Sequence, residues 1–425
     1  MTVNKIITDT ALGESYRVIK HKSGLTIMVL TKQGYESTHA IFATKYGSID
    51  TSILRENGGF ETIPEGTAHF LEHKLFESED LDAFERFAKT GAYANAFTSF
   101  DMTGYLFSCS DNFKENLEIL LDFVQSPYFT EETVQKEQGI IGQEIRMYKD
   151  SADWEAMFNM LRTMYEKHPV RIDIAGTEKS ISCITAEMLY DCYKNFYDLS
   201  NMVLAVAGKA TVEEVLEVAD RMLKNSGGKR AVREFKKESP KPVCDYVEES
   251  LPIKVPIFVL GFKEDFENPE RTLKQVVSTE IIHEIIAGRS SPLYNRLLEE
   301  SLVNNSFSNE YFYGFGYACS MFSGESTDPE KASAEIRKEI LSRKLNGVSE
   351  KDFERARRKL YGRMVMGFND IESIAHDMVK SDFDGYGIFD ASEICRTLTL
   401  DDINERLGEI LCDDYTVLSV VKPLE

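Results

Sequence analysis

The sequence has few cysteines, and they are not arranged to bind metal or to cross-link a small fold. Its 425 residues include 7 cysteines, an odd number, and no Cys-x-x-Cys pair occurs. Disulfide frameworks use paired cysteines, and cysteine zinc sites usually contain such a pair. The cysteines therefore indicate buried, reduced thiols, and we expect a cytoplasmic protein.

Long hydrophobic runs and an excess of basic residues are also missing. No stretch approaches the roughly 18 consecutive apolar residues of a membrane helix, and residues 1–10 show no secretory signal. Lys and Arg number 49 against 71 Asp and Glu, a net charge of -22. Such an acidic surface repels nucleic acid and anionic membranes, so the sequence predicts neither as a partner.

The rest of the composition, with 42% hydrophobic and 28% charged residues, is typical of a globular protein. The chain is too long for one comfortable hydrophobic core. A polar stretch that carries Gly and Pro runs through residues 225–242 and is typical of a linker. We therefore predict an N-terminal domain at 1–225, a linker at 226–245 and a C-terminal domain at 246–425.

The order of predicted elements after the linker repeats the order before it. The corresponding segments are 41–46 and 257–263, 67–76 and 273–286, 93–98 and 311–317, and 202–208 and 415–421. A repeated order of strands and helices indicates duplication of one unit. The sequence therefore predicts an α+β fold of two duplicated half-domains, each a mainly antiparallel sheet with helices packed on one face.

A possible metal centre begins with His69, Glu72 and His73 on the helix predicted from residue 67. Residues at i and i+4 project from one face of a helix, and two neutral imidazoles one turn apart can bind a single zinc ion. Glu72 adjoins His73 without being a ligand. It can act as the general base that takes a proton from zinc-bound water. We expect one zinc ion per chain, with the first half of the chain supplying the ligands.

A catalytic zinc needs a third protein ligand and keeps its fourth position open. The remaining histidines form no second metal-like pair; they are His21, His39, His168, His283 and His376. A carboxylate is therefore the better candidate. The helix predicted over residues 131–148 presents Glu137 and Glu144 at i and i+7, on one face.

Three isoleucines on that helix, Ile140, Ile141 and Ile145, predict an apolar stripe that buries it beside the motif helix. We predict Glu144 as the third ligand. We predict Glu137 as a catalytic acid that orients a histidine or steers water. The alternative interpretation of Glu137 is a solvated charge on a helix surface.

The segment Gly66-Thr-Ala-His69-Phe-Leu-Glu72-His73-Lys-Leu-Phe76 closely resembles the signature of the pitrilysin/insulinase family of inverted zinc peptidases. The segments 94–99 and 143–147 resemble that family's hairpin and third-ligand helix. The length and the duplicated halves resemble its short, processing-peptidase-like branch. The resemblance implies a metallohydrolase fold whose paired subunits enclose a chamber that admits small or extended substrates.

The strand at residues 95–98 is the expected edge for a peptide substrate. Asn95, Ala96, Phe97 and Thr98 are predicted to pair with the substrate backbone by strand addition. Thr98, Ser99 and the neighbouring aromatic side chains are candidates for lining the site. The alternative is ordinary packing within a hairpin.

One departure from the family pattern concerns partners. Active members commonly use an Arg and a Tyr, seven residues apart, in a C-terminal half-domain. Glu299 and Ser306 stand at the matching positions here. The resemblance therefore implies a hetero-oligomer with a same-fold paralogue that supplies Arg and Tyr, with a homodimer as the alternative.

The sequence as a whole predicts a zinc-dependent metalloendopeptidase that hydrolyses peptides or unfolded segments. The alternative from a different class is a non-proteolytic structural subunit of a complex with the same fold. The intact zinc motif argues against it, because a scaffold has no need for that constellation. A maturation factor for one peptide-derived product shares the chemistry, and the sequence does not separate it from general peptide disposal.

Overall fold

The structure is a computed structural model that describes residues 3–55, 58–79, 82–225, 227–228, 230–234, 237–265 and 267–424. The chain forms two compact units. Unit 1 consists of Met1–Ile145, Asp173–Glu234 and Val365–Phe389, and unit 2 of Arg146–Ile172, Phe235–Met364 and Asp390–Glu425. The domain division predicted at the linker concerns the duplicated halves of the sequence and stays a prediction. Linker positions 226, 229, 235 and 236 lie outside the described residues.

The secondary structure alternates between strands and helices along the chain. The strands are β1 Val3–Asp9, β2 Glu14–Lys20, β3 Thr26–Thr31, β4 Thr38–Thr44, β5 Ser52–Leu54, β6 Phe60–Thr62, β7 Tyr93–Thr98, β8 Thr103–Cys109, β9 Met202–Gly208, β10 Tyr246–Leu251, β11 Ile257–Lys263, β12 Ser308–Gly314, β13 Tyr317–Glu325 and β14 Thr416–Pro423. The helices are α1 Thr67–Leu75, α2 Ala83–Thr90, α3 Phe113–Val124, α4 Glu131–Lys149, α5 Ala152–Met164, α6 Glu178–Ile181, α7 Ala186–Phe196, α8 Val212–Met222, α9 Leu273–Ala287, α10 Pro292–Glu299, α11 Pro329–Asn346, α12 Glu350–Gly367, α13 Ile371–Asp384, α14 Asp390–Thr397 and α15 Leu400–Glu409.

The two main sheets share one strand order. The sheet of unit 1 runs β1-β2-β3-β9-β4-β8-β7, and the sheet of unit 2 runs β10-β14-β11-β13-β12. The pairs β3–β9 and β10–β14 are parallel, and the other neighbours are antiparallel. The last five strands of the first sheet therefore match the second in order and direction. The predicted α+β fold of duplicated, mainly antiparallel sheets is confirmed.

Alternating side chains divide the sheet of unit 1 into two packed faces. Ile27, Phe42 and Phe107 belong to the core beneath α1, α3, α7 and α8. Met28 and Ile41 point the other way, into a second cluster formed with α13. A strand buried on both faces lacks the polar alternation of a half-exposed one. The helix α13 on the second face is an addition to the predicted fold.

The place of α1 decides where a site can form. This helix packs against β7 and β8, at the end of the sheet. The strand β7 is the last in its sheet, with β8 as its neighbour among the described strands. A site on α1 therefore lies beside an open strand edge. None of the described helices combines the length and the apolar character that crossing a bilayer requires.

Candidate metal centre

The helix α1 starts at a tight contact between backbones. Its N-cap, Gly66, has φ +85°, and a Cβ there would lie 2.3 Å from the carbonyl oxygen of Ala175. Only glycine fits that approach. Phe70 and Leu71 are fully buried and hold the helix against the core. His69, one residue before Phe70, is carried on the same rigid helix.

The helix α4 presents its glutamates from one largely buried face. Val134, Glu137, Ile141 and Ile145 lie on that face. The predicted apolar stripe is correct for Ile141 and Ile145 but wrong for Ile140, which is 46% exposed. Consecutive residues are turned about 100° from each other around a helix, so Ile140 points away from the side that Ile141 occupies.

Three ligand atoms from the two helices converge. The Nε2 atom of His69 lies 3.6 Å from Oε1 of Glu144, and Nε2 of His73 lies 3.5 Å from its Oε2. The ligand atoms of these three residues all lie within 4.8 Å of one another. Zinc bonds of about 2.0–2.1 Å at a tetrahedral angle place neighbouring ligand atoms about 3.3 Å apart. The three residues therefore fit a zinc ion.

Among the described residues, His69, His73 and Glu144 form the group of His, Cys, Asp or Glu side chains whose ligand atoms lie close enough together to hold a metal ion. The trio lies wholly in unit 1. The expectation of one zinc ion per chain, with ligands from the first half of the chain, stays a prediction.

Glu137 supports one of the histidines. Its Oε1 accepts a hydrogen bond of 2.9 Å from Nδ1 of His73, although the two residues are 64 positions apart. Because the carboxylate accepts this hydrogen bond, it favours the tautomer with the proton on Nδ1, and the lone pair of Nε2 is then free for a metal. Glu137 is 6% exposed. The alternative of a solvated helix charge therefore does not describe it.

The electrostatics of the site favour a cation. Burial by itself lowers the pKa of His73, but the hydrogen bond to Glu137 and the charges of Glu72, Glu137 and Glu144 outweigh it and raise the pKa. Three carboxylates around two imidazoles leave an excess of negative charge. A divalent ion between the imidazoles and Glu144 would balance that excess.

Glu72 is held by a strand rather than by the metal ligands. Its Oε2 accepts a hydrogen bond of 2.7 Å from Oγ1 of Thr98, at the end of β7. Thr98 lies 3.4 Å from Oγ1 of Thr103, which donates to the carbonyl of Tyr46 at 2.8 Å. Sequence reasoning placed Thr98 at the site but missed its contact with Glu72. No local pattern signals a bond between side chains 26 residues apart.

The four residues predicted to bind substrate divide between the faces of β7. Ala96 packs on the α1 side of the sheet, where Thr98 meets Glu72. Phe97 points to the opposite side, and its ring lies 5.0 Å from that of His376 in α13. The Phe97 side chain therefore does not line the metal centre. Asn95 accepts a bond of 2.9 Å from the Ala96 amide, and its own amide donates to Tyr93 at 3.2 Å.

The segment matched to the family's Arg and Tyr lies in unit 2. Glu299 is the last residue of α10, and Ser306 accepts a hydrogen bond of 2.9 Å from the Glu325 amide. The nearby cation Arg296 lies 3.4 Å from Glu335. The buried phenol of Tyr311 donates to Glu264 at 2.8 Å. Arg296 and Tyr311 are therefore already paired with carboxylates.

The duplicated sheets and the cluster of His69, His73 and Glu144 are together typical of one class, the zinc-peptidase fold with duplicated halves. The chain belongs to peptidase family M16, the insulinase family. Residues 61–178 match the family model described as "Insulinase (Peptidase family M16)", and residues 184–360 match the model described as "Peptidase M16 inactive domain". The family resemblance predicted from the zinc motif is confirmed.

Individual relatives agree with this assignment. The chain is 40% identical over 414 residues to a protein of Bacillus subtilis (strain 168) named "Uncharacterized zinc protease YmfH", and the match covers 95% of each chain. It is similar to the crystal structure of a putative M16-like peptidase from Alicyclobacillus acidocaldarius, with 35% identity, a TM-score of 0.92 and coverage of 96% and 98%. A protease structure from Helicobacter pylori, at 18% identity and a TM-score of 0.84, shares the fold over 96% of this chain and 100% of that one.

Proposed function

We propose that this protein is a zinc-dependent metalloendopeptidase that hydrolyses peptides or unfolded segments. The observation that carries the proposal is the convergence of His69, His73 and Glu144 beside the carboxylate of Glu72. Zinc held by these residues would lower the pKa of a water molecule and polarise the scissile carbonyl. Relatives named as zinc proteases support this chemistry.

Glu72 is the general base of the proposed reaction. Thr98 occupies one oxygen of its carboxylate, at 2.7 Å, which leaves the other oxygen to accept a proton from the attacking water. Glu72 then acts as a general acid and passes that proton to the leaving amine. Glu137 acts beside it by holding His73 in one tautomer.

The edge of β7 is the proposed position of the substrate backbone. This strand ends the sheet, so its outer amide and carbonyl groups can pair with an extended peptide. Residues 95–98 form the stretch that leads to Thr98 and the metal centre. A folded substrate has few free backbone groups to offer. Strand addition therefore favours peptides and unfolded segments.

A same-fold paralogue that supplies Arg and Tyr is the proposed partner, with a homodimer as the alternative. Glu299 and Ser306 cannot provide the charge and the phenol expected at their positions. Each donor aimed at a developing oxyanion is worth about 2.7–4 kcal/mol. We therefore expect the chain alone to be slow, and a mixture with such a paralogue to be about a hundredfold faster or more. Equal rates for the chain and the mixture would rule out the heteromer.

Metal analysis followed by a digest tests the proposal. Protein purified without chelator is expected to contain about one zinc ion per chain. It should cleave a mixed peptide library, stop when the zinc is removed by chelation, and recover when zinc is added back. Absence of bound metal would contradict the metal centre. Bound zinc without cleavage, even with the partner present, would favour the alternative of a structural subunit.

A further inference from the structure

An arginine of the predicted linker packs its largely buried side chain into unit 1. The Arg233 side chain is 10% exposed, and its Nε and Nη2 atoms donate to the two oxygens of Asp50 at 2.8 Å each. The same Nη2 donates to the carbonyl oxygen of Asp101 at 2.6 Å, and Nη1 lies 3.3 Å from its carboxylate. One guanidinium thus spans two separate turns. The planar fork of arginine suits this arrangement, which a lysine cannot reproduce.

The two turns that Arg233 joins also contact each other. Asp50 ends the turn after β4, and Asp101 lies in the turn between β7 and β8. The amide of Ile49 donates to the carbonyl of Phe100 at 3.1 Å. A Cβ on Gly47 would lie 2.3 Å from the same carbonyl oxygen, so the close approach needs glycine there. The contact between the turns is therefore specific.

Arg233 favours the charged form of the buried Asp50 side chain. The Asp50 side chain is 4% exposed. Its burial raises the pKa of the carboxyl group, and the Arg233 guanidinium opposes that rise. Without the guanidinium a carboxylate would remain buried beside the turn, with the Gly47 amide as a donor at 2.8 Å. Arg233 therefore holds together a junction that would otherwise be unfavourable.

The β7–β8 turn begins directly after Thr98. The amide of Ser99 donates to the carbonyl of Met102 at 2.8 Å, and this bond closes the turn. Thr98 in turn holds the carboxylate of Glu72. A displacement of the turn would therefore move the Thr98 hydroxyl and the outer edge of β7 together.

We propose that Arg233 is a positioning residue for the metal centre, which it controls through the β7–β8 turn. The inference rests on the proposed peptidase function and adds a form of regulation to it. Because Arg233 belongs to the linker, a change in the linker that withdraws the guanidinium from Asp50 and Asp101 releases the turn. Release weakens the hold of Thr98 on Glu72 and disorders the edge that receives the peptide.

Replacement of Arg233 by lysine tests this coupling in the full-length, zinc-loaded protein. Arg233→Lys keeps a positive charge near Asp50 but cannot span both turns. We expect KM for a peptide substrate to rise severalfold and kcat to fall about tenfold, with an unchanged zinc content. Hydrogen exchange should become faster over residues 95–104 and remain as in wild type over α4.

Arg230→Lys is the matched control, since Arg230 lies in the same linker and its Nε donates to the Ser200 carbonyl at 3.1 Å instead of to the hairpin. It should keep the wild-type kinetics and exchange. A merely structural role for Arg233 would lower the melting temperature and the active fraction while KM stayed constant. That outcome would overturn the proposal.

A double variant, Arg233→Gln with Asp50→Asn, keeps a neutral pair in place of the buried charges and guards against unfolding. It should reproduce the rise in KM while retaining a cooperative melting transition. Wild-type KM and wild-type exchange in Arg233→Lys would overturn the inference. Absence of cleavage by the zinc-loaded wild type would instead overturn the peptidase itself, and hydrogen exchange would still report whether Arg233 holds the turn.

Discussion

The helix α1 of unit 1 and the helix α9 of unit 2 occupy corresponding places in two sheets of the same strand order. Each comes later in the chain than the middle strand of the shared five, which is β4 in unit 1 and β11 in unit 2. Each packs against the edge strand of its sheet, β7 or β12. Their third, sixth and seventh residues differ in chemistry. These residues are His69, Glu72 and His73 in α1, and Gln275, Ser278 and Thr279 in α9.

Unit 2 fills the corresponding place with a closed ionic network. Arg406 donates to Thr279 at 3.0 Å and to the two oxygens of Glu264 at 2.9 and 2.8 Å. Tyr311, on the edge strand β12, donates to the same carboxylate. The side chains of Arg406 and Glu264 are each 5% exposed. Each buried charge here has an opposite charge in contact.

The difference between the two places is a difference in charge balance. In unit 1 the carboxylates of Glu72, Glu137 and Glu144 surround two imidazoles, and a divalent cation from outside the chain would balance their charge. In unit 2 the guanidinium of Arg406 belongs to the chain, so the network is complete without a metal. One fold therefore supports a binding site or a packed core, depending on which charges α1 or α9 faces.

Loss of a predicted metal ligand should have the largest effect on bound zinc and on peptide cleavage. His69→Ala or Glu144→Gln is expected to reduce bound zinc from about one ion per chain to a small fraction and to reduce cleavage to background, because one of three ligands is lost. The control in α9 is His283→Gln, which replaces a buried histidine whose Nε2 lies 2.8 Å from Oγ of Ser320. It should leave the zinc-to-protein ratio unchanged. Equal zinc in all variants would refute the assignment of the ligands.

Removal of the base should separate binding from chemistry. Glu72→Gln keeps the shape of the side chain, so we expect zinc to remain while the rate of peptide cleavage falls by about 10²–10⁴-fold. Ser278→Ala, at the same position of α9, should change neither quantity. Cleavage comparable to wild type would exclude Glu72 as the base. Loss of zinc from Glu72→Gln would mean that Glu72 supports the ligands instead.

Disruption of the ionic network in unit 2 should lower the free energy of unfolding without changing the amount of bound zinc. Arg406→Met removes one of the two guanidinium groups that contact the buried Glu264 carboxylate and leaves Arg271 at 3.2 Å. We therefore expect a loss of stability below the about 3–5 kcal/mol of a fully unpaired buried charge. Urea denaturation should show this loss, while zinc content stays at the wild-type value. Adding Glu264→Gln should lower the stability further, because the buried Arg271 then loses its contact with the Glu264 carboxylate. A fall in zinc content would contradict the independence of zinc binding from this network.

Substitution of Glu137 should have the smallest of these effects. Glu137→Gln keeps an acceptor near Nδ1 of His73 but removes the charge, and we expect zinc affinity to fall about 10- to 100-fold. Competition with a chelator measures this directly. The exposed Glu132, in the first turn of the same helix, supplies the control variant Glu132→Gln. Identical affinities for both variants would remove Glu137 from the site.

Much of the fold and part of the candidate site could be predicted from local sequence patterns. Helical spacing placed His69 and His73 on one face, and it placed Glu137 and Glu144 on one face of α4, because side-chain direction repeats along a helix. The repeated order of strands and helices predicted the duplicated sheets, because each half of the chain carries the same succession of elements. Local spacing was less reliable for burial, since Ile140 is exposed while Ile141 is buried.

The tertiary structure alone decided which faces meet. Periodicity shows that a face is buried but not which element covers it, so the packing of α13 on the sheet of unit 1 could not be predicted. The bonds from Thr98 to Glu72 and from Arg233 to Asp50 join residues 26 and 183 positions apart. Such contacts depend on the packing of the whole unit, which brings distant segments together without any local signal. The sequence by itself determined the ligands that α1 and α4 could offer, and the fold decided how their neighbours hold them.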